Sequence, residues 1–204
     1  GQATTLAIDS PSTAMVTDVT AIVTATATGT FTTDSDAVVR FTASADTDVT
    51  ASNATAVTVT SAGQVTLSAN AADTVTVTAT QEALVTANSA ETVNLVIGDG
   101  IDATSSSVID STLTSSNANY IRVNVSGRSS ATVIDVSGAA NVNTVAVTGS
   151  QNVTVKVGLA AIDGLGTATT NDTSDDNLLT VSNSNTATTT LWIKSTGGDA
   201  DFSQ

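Results

Sequence analysis

The chain has 204 residues, with 19 acidic side chains against 5 basic ones, no His and no Cys. A Ser-His-Asp or Cys-His triad, a thiolate metal site and an imidazole base are thereby excluded. The formal net charge of −14 repels nucleic acid and anionic lipid, because phosphate binding needs Lys and Arg to release counterions.

The five bases (Arg40, Arg122, Arg128, Lys156 and Lys194) are scattered and form no basic stripe, so no nucleic-acid partner is expected. No stretch approaches the roughly 20 consecutive apolar residues of a membrane span. The chain opens on Gly1 rather than Met, as a processed protein or an excised fragment would. Acidity, few Lys and a surplus of Thr, Ser, Asn and Ala point to an extracellular or cell-surface product.

Hydrophobic content is 40%, nearly all of it Ala and Val with some Leu and Ile, which suits thin, layered packing. Disordered chains lack β-branched residues, whereas Val and Thr alternate strictly here. In chain order, residues 1–41 read as a less regular β cap or opening segment. Residues 42–158 carry the repeats. Val57-Thr58-Val59-Thr60, Val65-Thr66-Leu67-Ser68 and Val75-Thr76-Val77-Thr78 each predict a half-buried strand with its hydroxyls outward.

Val57, Val75 and Val93 recur every 18 residues, with Val49, Val65 and Val85 opening further strands between them. A second unit, apolar-x-Val-Ser/Thr-Gly, steps by 11 through Val125, Val136 and Val147, and Gly127, Gly138 and Gly149 follow as positive-φ turn residues. Residues 159–177 read as a Gly/Asp-rich loop, and 178–204 hold the terminal strands.

Short strands at a near-constant period predict an all-β chain, a parallel β-helix or β-solenoid with two short strands per 18–22-residue repeat. Val57, Val75 and Val93 would then form one buried ladder, and Val125, Val136 and Val147 another. The alternative is an immunoglobulin-like β-sandwich, which also has short strands and frequent turns. Sandwiches rarely repeat a turn sequence, and they usually bury a large aromatic.

The runs Ala90-Glu91-Thr92-Val93-Asn94-Leu95-Val96-Ile97 and Ala140-Asn141-Val142-Asn143-Thr144-Val145-Ala146-Val147-Thr148-Gly149 resemble the repetitive β-solenoid regions of bacterial S-layer and RTX-type surface proteins. The resemblance implies an extracellular, calcium-assisted lattice protein. Gly197-Gly198-Asp199-Ala200-Asp201 and Gly98-Asp99-Gly100-Ile101-Asp102 are similar in part to that family's calcium nonapeptide, with Ala200 standing where its third Gly belongs.

Paired acids are the chemically suggestive constellations: Asp34 with Asp36, Asp46 with Asp48, Asp99 with Asp102, Asp172 with Asp175 and Asp176, and Asp199 with Asp201. Hard cations take several oxygens from flexible loops, so Asp99, Asp102, Asp172, Asp175, Asp176, Asp199 and Asp201 are the candidate calcium ligands. Asp is equally a favoured turn residue and a solubilising charge.

The expected function is a non-enzymatic structural segment of an S-layer-type lattice that self-associates, with cell-surface polysaccharide a further partner. A filament or adhesin subunit joined by strand addition is the main alternative, and its first residues would form an unpaired donor strand. An ice-binding solenoid is suggested by Thr24, Thr26 and Thr28, Thr58 and Thr60, and Thr76 and Thr78. A polysaccharide-acting enzyme would instead need two facing carboxylates beside aromatics.

Overall fold

The structure, a computed structural model, describes residues 3–8, 13–16, 20–26, 28–33, 38–98, 109–125, 132–139, 142–158 and 180–194. The first six strands are β1 (Ala3–Ile8), β2 (Thr13–Val16), β3 (Thr20–Ala25), β4 (Gly29–Thr33), β5 (Val38–Ala43) and β6 (Thr47–Ala51). Next come β7 (Ala56–Ser61), β8 (Val65–Ser68), β9 (Thr74–Ala79), β10 (Ala83–Thr86), β11 (Thr92–Ile97) and β12 (Ile109–Ser115). The last six are β13 (Tyr120–Val125), β14 (Thr132–Ala139), β15 (Thr144–Gly149), β16 (Val153–Gly158), β17 (Thr180–Asn183) and β18 (Thr189–Lys194).

Odd strands make one nine-stranded sheet in chain order and even strands make another. Every pairing is parallel, for example β7 with β9 and β6 with β8. The chain therefore crosses between two sheets at every corner and climbs one rung per circuit. The architecture is an all-β, two-sheet β-solenoid. Among the described residues no helix is long and apolar enough to cross a membrane.

The corners distinguish this coil from a sandwich, because they are hydrogen-bonded to one another like the strands. At one edge the Asp73 N–H donates to the Thr55 carbonyl, Glu91 N–H to Asp73, and Asn119 N–H to Glu91. At the other edge Ala62 N–H donates to the Ala43 carbonyl, Thr80 N–H to Ser61, and Gly98 N–H to Ala79. A solenoid satisfies its backbone this way all round the circuit, without helices covering the sheets.

Alternation decides which side chains enter the core. In β9 and β11 every second residue is buried, and the Thr, Asn and Val between them face outward, half-buried or exposed. Register then stacks like on like. Val57, Val75 and Val93 lie side by side in one sheet, continuing from Val39 to Ile121 and Val145. Phe41, Val59, Val77, Leu95, Val123 and Val147 form a second buried rank. In the facing sheet Phe31, Val49, Leu67, Val85 and Leu113 form a third.

The corners are filled by Ala54, Ala72, Ala90 and Ala118, all buried, where a larger side chain would force the turn open. The core also holds two large aromatics. Phe31 and Phe41 face each other across the sheets with ring centroids 5.4 Å apart, a tilted pair of favourable geometry.

Residues in register are 18 apart through β3, β5, β7, β9 and β11. Later coils lengthen to 28 residues (Leu84 to Thr112), 24 (Asn124 to Thr148) and 36 (Val153 to Thr189). Residues 99–108, 126–131 and 159–179, within these longer repeats, lie outside the described residues.

The 11-residue unit is half a circuit, not a whole one. β13 and β15 belong to one sheet and β14 to the other. Val125 is in register with Gly149, and Val147 with Val123. Val125, Val136 and Val147 are thus not a single ladder, because each step of 11 crosses the core. Of the three glycines expected at positive φ, Gly138 departs from expectation and Gly127 lies outside the described residues. Among the described residues only Gly149 has positive φ, at 127°. Gly158 is needed for close approach instead, since a Cβ there would sit 2.6 Å from the Ser137 carbonyl oxygen.

Two buried hydroxyls repair the backbone where a circuit turns. Ser61 Oγ donates to the Ala45 carbonyl at 2.6 Å and accepts from Gly63 N–H at 3.0 Å. Ser115 Oγ donates to the Ala87 carbonyl at 2.6 Å and accepts from Ala118 N–H at 3.2 Å. Ser115→Ala would leave the buried Ala118 N–H without its acceptor, while the Ala87 carbonyl keeps the Ala90 N–H, and should lower stability by about 1–3 kcal/mol in urea denaturation.

Candidate functional site

Three surfaces carry the chemistry that the fold exposes: the turn columns and the two outer sheet faces. At the corners preceding the even strands, Asp46, Gln64 and Glu82 stand one above another, 18 residues apart. Gln64 N–H donates to Asp46 Oδ1 and Gln64 Nε2 donates to Glu82 Oε2, each at 2.8 Å. The amide therefore separates two carboxylates that would otherwise repel. The 18-residue spacing makes this column visible in the sequence, but attention to acids close in sequence passes over it.

Gln64→Glu would remove the Nε2–H donor and align three carboxylates. Since the column is partly solvated, stability should fall by only about 0.5–1 kcal/mol. Raising the salt from 0.05 to 0.5 M should recover most of that loss in thermal melts.

Asp46 and Asp48 are not brought together as a pair. Asp46 is in the turn column, whereas Asp48 stands exposed on the outer face of β6 between Thr30 and Thr66. Asp34 and Asp36 lie outside the described residues. So do Asp99, Asp102, Asp172, Asp175, Asp176, Asp199 and Asp201. Among the described residues no group of three or more acids, His or Cys is placed to hold an ion.

The outer face of the odd sheet bears the rank Thr24, Thr42, Thr60 and Thr78, continued by Val96, Asn124 and Thr148. The neighbouring rank runs Arg40, Thr58, Thr76, Asn94 and Arg122. Side-chain bonds cross the rungs: Asn94 Nδ2 donates to Thr76 Oγ1 at 3.2 Å, and Asn124 Nδ2 to Thr148 Oγ1 at 2.9 Å. Among the described residues of this face, regular hydroxyl pairs extend over β7 and β9 only. At β11 they give way to Asn94 and Val96.

The even sheet has an open groove of about 190 Å³ on its outer face, between Thr66, Leu84 and Thr112 on one side and Ser68, Thr86 and Thr114 on the other. Asp48 is the acid in its lining. Two-carboxylate chemistry needs a second acid facing the first, and this lining supplies hydroxyls and apolar carbons there instead.

Farther along the same face Trp192 is 50% exposed, with Lys156 Nζ 4.7 Å from its ring centre. On the odd sheet the Arg122 guanidinium lies 4.8 Å from the Tyr120 ring centre. Both are cation–π contacts between side chains of the solenoid surface.

No family model matches this chain. Neither does any curated protein or any solved structure.

Proposed function

We propose that the chain is a non-enzymatic structural segment of an extracellular, S-layer-type assembly, in which copies associate with one another. The observation that supports this reading is the continuity of the ladder. Two sheets, and the corners among the described residues, are hydrogen-bonded from rung to rung, so load applied along the axis is shared between coils. A net charge of −14 favours neutralisation by divalent cations, and calcium would bridge acidic segments within or between copies. Asp99, Asp102, Asp172, Asp175, Asp176, Asp199 and Asp201 are its proposed ligands, and cell-surface polysaccharide is a further proposed partner.

The strand-addition reading has less support, because β1 is already paired with β3 of its own chain. The assembly reading is tested by sedimentation and electron microscopy of the chain with calcium and then with a chelator. Calcium-dependent sheets are expected. A monomer at high concentration in both conditions would contradict the assembly, and a melting temperature that ignores the chelator would remove calcium from it.

A further inference from the structure

The core changes character at its last described coil. The rank Leu95, Val123, Val147 ends on Asn183, and Val153 is followed in register by Thr189. These two polar residues occupy positions that are apolar and buried in the preceding coil. They are tied together through Asn185. Asn183 Oδ1 accepts from Asn185 N–H at 3.0 Å and from Thr189 Oγ1 at 3.1 Å, while Asn185 Nδ2 donates to Thr189 Oγ1 at 3.2 Å. Asn185 Nδ2 also reaches the Gln151 carbonyl below at 2.7 Å, anchoring the network to the coil beneath.

We infer that coil β17–β18 is a cap: its Asn183–Asn185–Thr189 network keeps a second copy of this chain from stacking on that end. β17 and β18 stand last in their sheets among the described residues, so each offers an outer edge on which the β1 and β2 edges of another copy could add in parallel. Such a head-to-tail contact is heterologous and does not close, so it would grow without limit. A coil laid over Asn183 would desolvate its amide donors without pairing them. Val181 and Leu191 remain apolar beside the network, Leu191 being 41% exposed. The cap therefore acts through its polar members. This goes beyond the assembly reading and does not depend on it, because the network restricts axial growth whatever the lateral faces do.

The test uses the full chain, which has no Cys, with Thr5→Cys and Ser182→Cys added. Register places both positions in line with Arg40 across the odd sheet. A head-to-tail stack would bring residue 5 of one copy beside residue 182 of the next. With the native network little cross-linking by a short dimaleimide between copies is expected. Asn183→Val with Thr189→Val should raise cross-linking and axial association at least about tenfold, giving rods by electron microscopy.

Equal cross-linking in both backgrounds would overturn the inference. So would an unchanged association constant in a variant whose melting temperature and Trp192 emission match the parent. If the double variant loses its fold, Asn183→Val alone is scored by the same criteria. A parent that never self-associates, together with a variant that forms rods, would count against the assembly reading while leaving the cap intact.

Discussion

Val77→Asp is expected to abolish cooperative folding, whereas Thr78→Asp, one residue on, should cost no more than about 1 kcal/mol. Val77 is fully buried between Val59 and Leu95 of the adjacent rungs. A carboxylate there would be enclosed by apolar side chains. Burying it unpaired costs several kcal/mol, a large part of the roughly 5–15 kcal/mol that holds a domain folded. Thr78 lies half-buried on the outer face between Thr60 and Val96, where a charge keeps its solvent. Chemical denaturation followed by far-ultraviolet circular dichroism reads both variants. A similar loss at the two positions would mean that the alternation is wrong.

The second large effect is predicted at Gly149. Its φ of 127° is one that L side chains rarely adopt, and a Cβ there would sit 1.9 Å from the Val125 carbonyl oxygen. The obstacle is backbone, and that carbonyl also accepts from the Ser150 N–H, so it cannot swing aside without breaking the corner. Gly149→Ala should therefore cost about 2–4 kcal/mol, strain and lost bonding together. Gly98→Ala is the control. Its Cβ would meet nothing closer than 3.6 Å, and its effect should stay within about 0.5 kcal/mol. Thermal melts of the two variants, recorded side by side, provide the comparison.

Much of the fold was legible because the coil repeats its own chemistry. The alternation in Val57-Thr58-Val59-Thr60 sets which face is buried. Its return at Val75 and Val93 sets the register, since only stacked circuits give identical positions identical surroundings. The 11-residue unit misled for a related reason. Val125, Val136 and Val147 have the same local pattern, but a two-sheet coil has two inward faces per circuit, and pattern alone does not distinguish half a turn from a whole one. The meeting of Phe31 and Phe41 across the core is not legible in the sequence, because it depends on which strands face each other. The column of Asp46, Gln64 and Glu82 does not show in acids paired within a turn, because the solenoid pairs residues between turns.

The central claim, that residues a full circuit apart are neighbours on one sheet, is tested most directly by spin-label distances in double-Cys variants of this Cys-free chain. Thr60 and Thr78 are in register on adjacent strands and should have their Cα atoms about 4.8 Å apart. Thr42 and Thr148, joined by the rank through Thr60, Thr78, Val96 and Asn124, should lie five rungs or about 24 Å apart. Thr60 and Thr66, although close in sequence, are on different sheets and should be separated by more than the roughly 10 Å between packed sheets. The predicted order therefore has the Thr60–Thr78 pair closest, despite its longer sequence separation. Finding Thr60 closer to Thr66 than to Thr78, or Thr42 beside Thr148, would contradict the stacked coil.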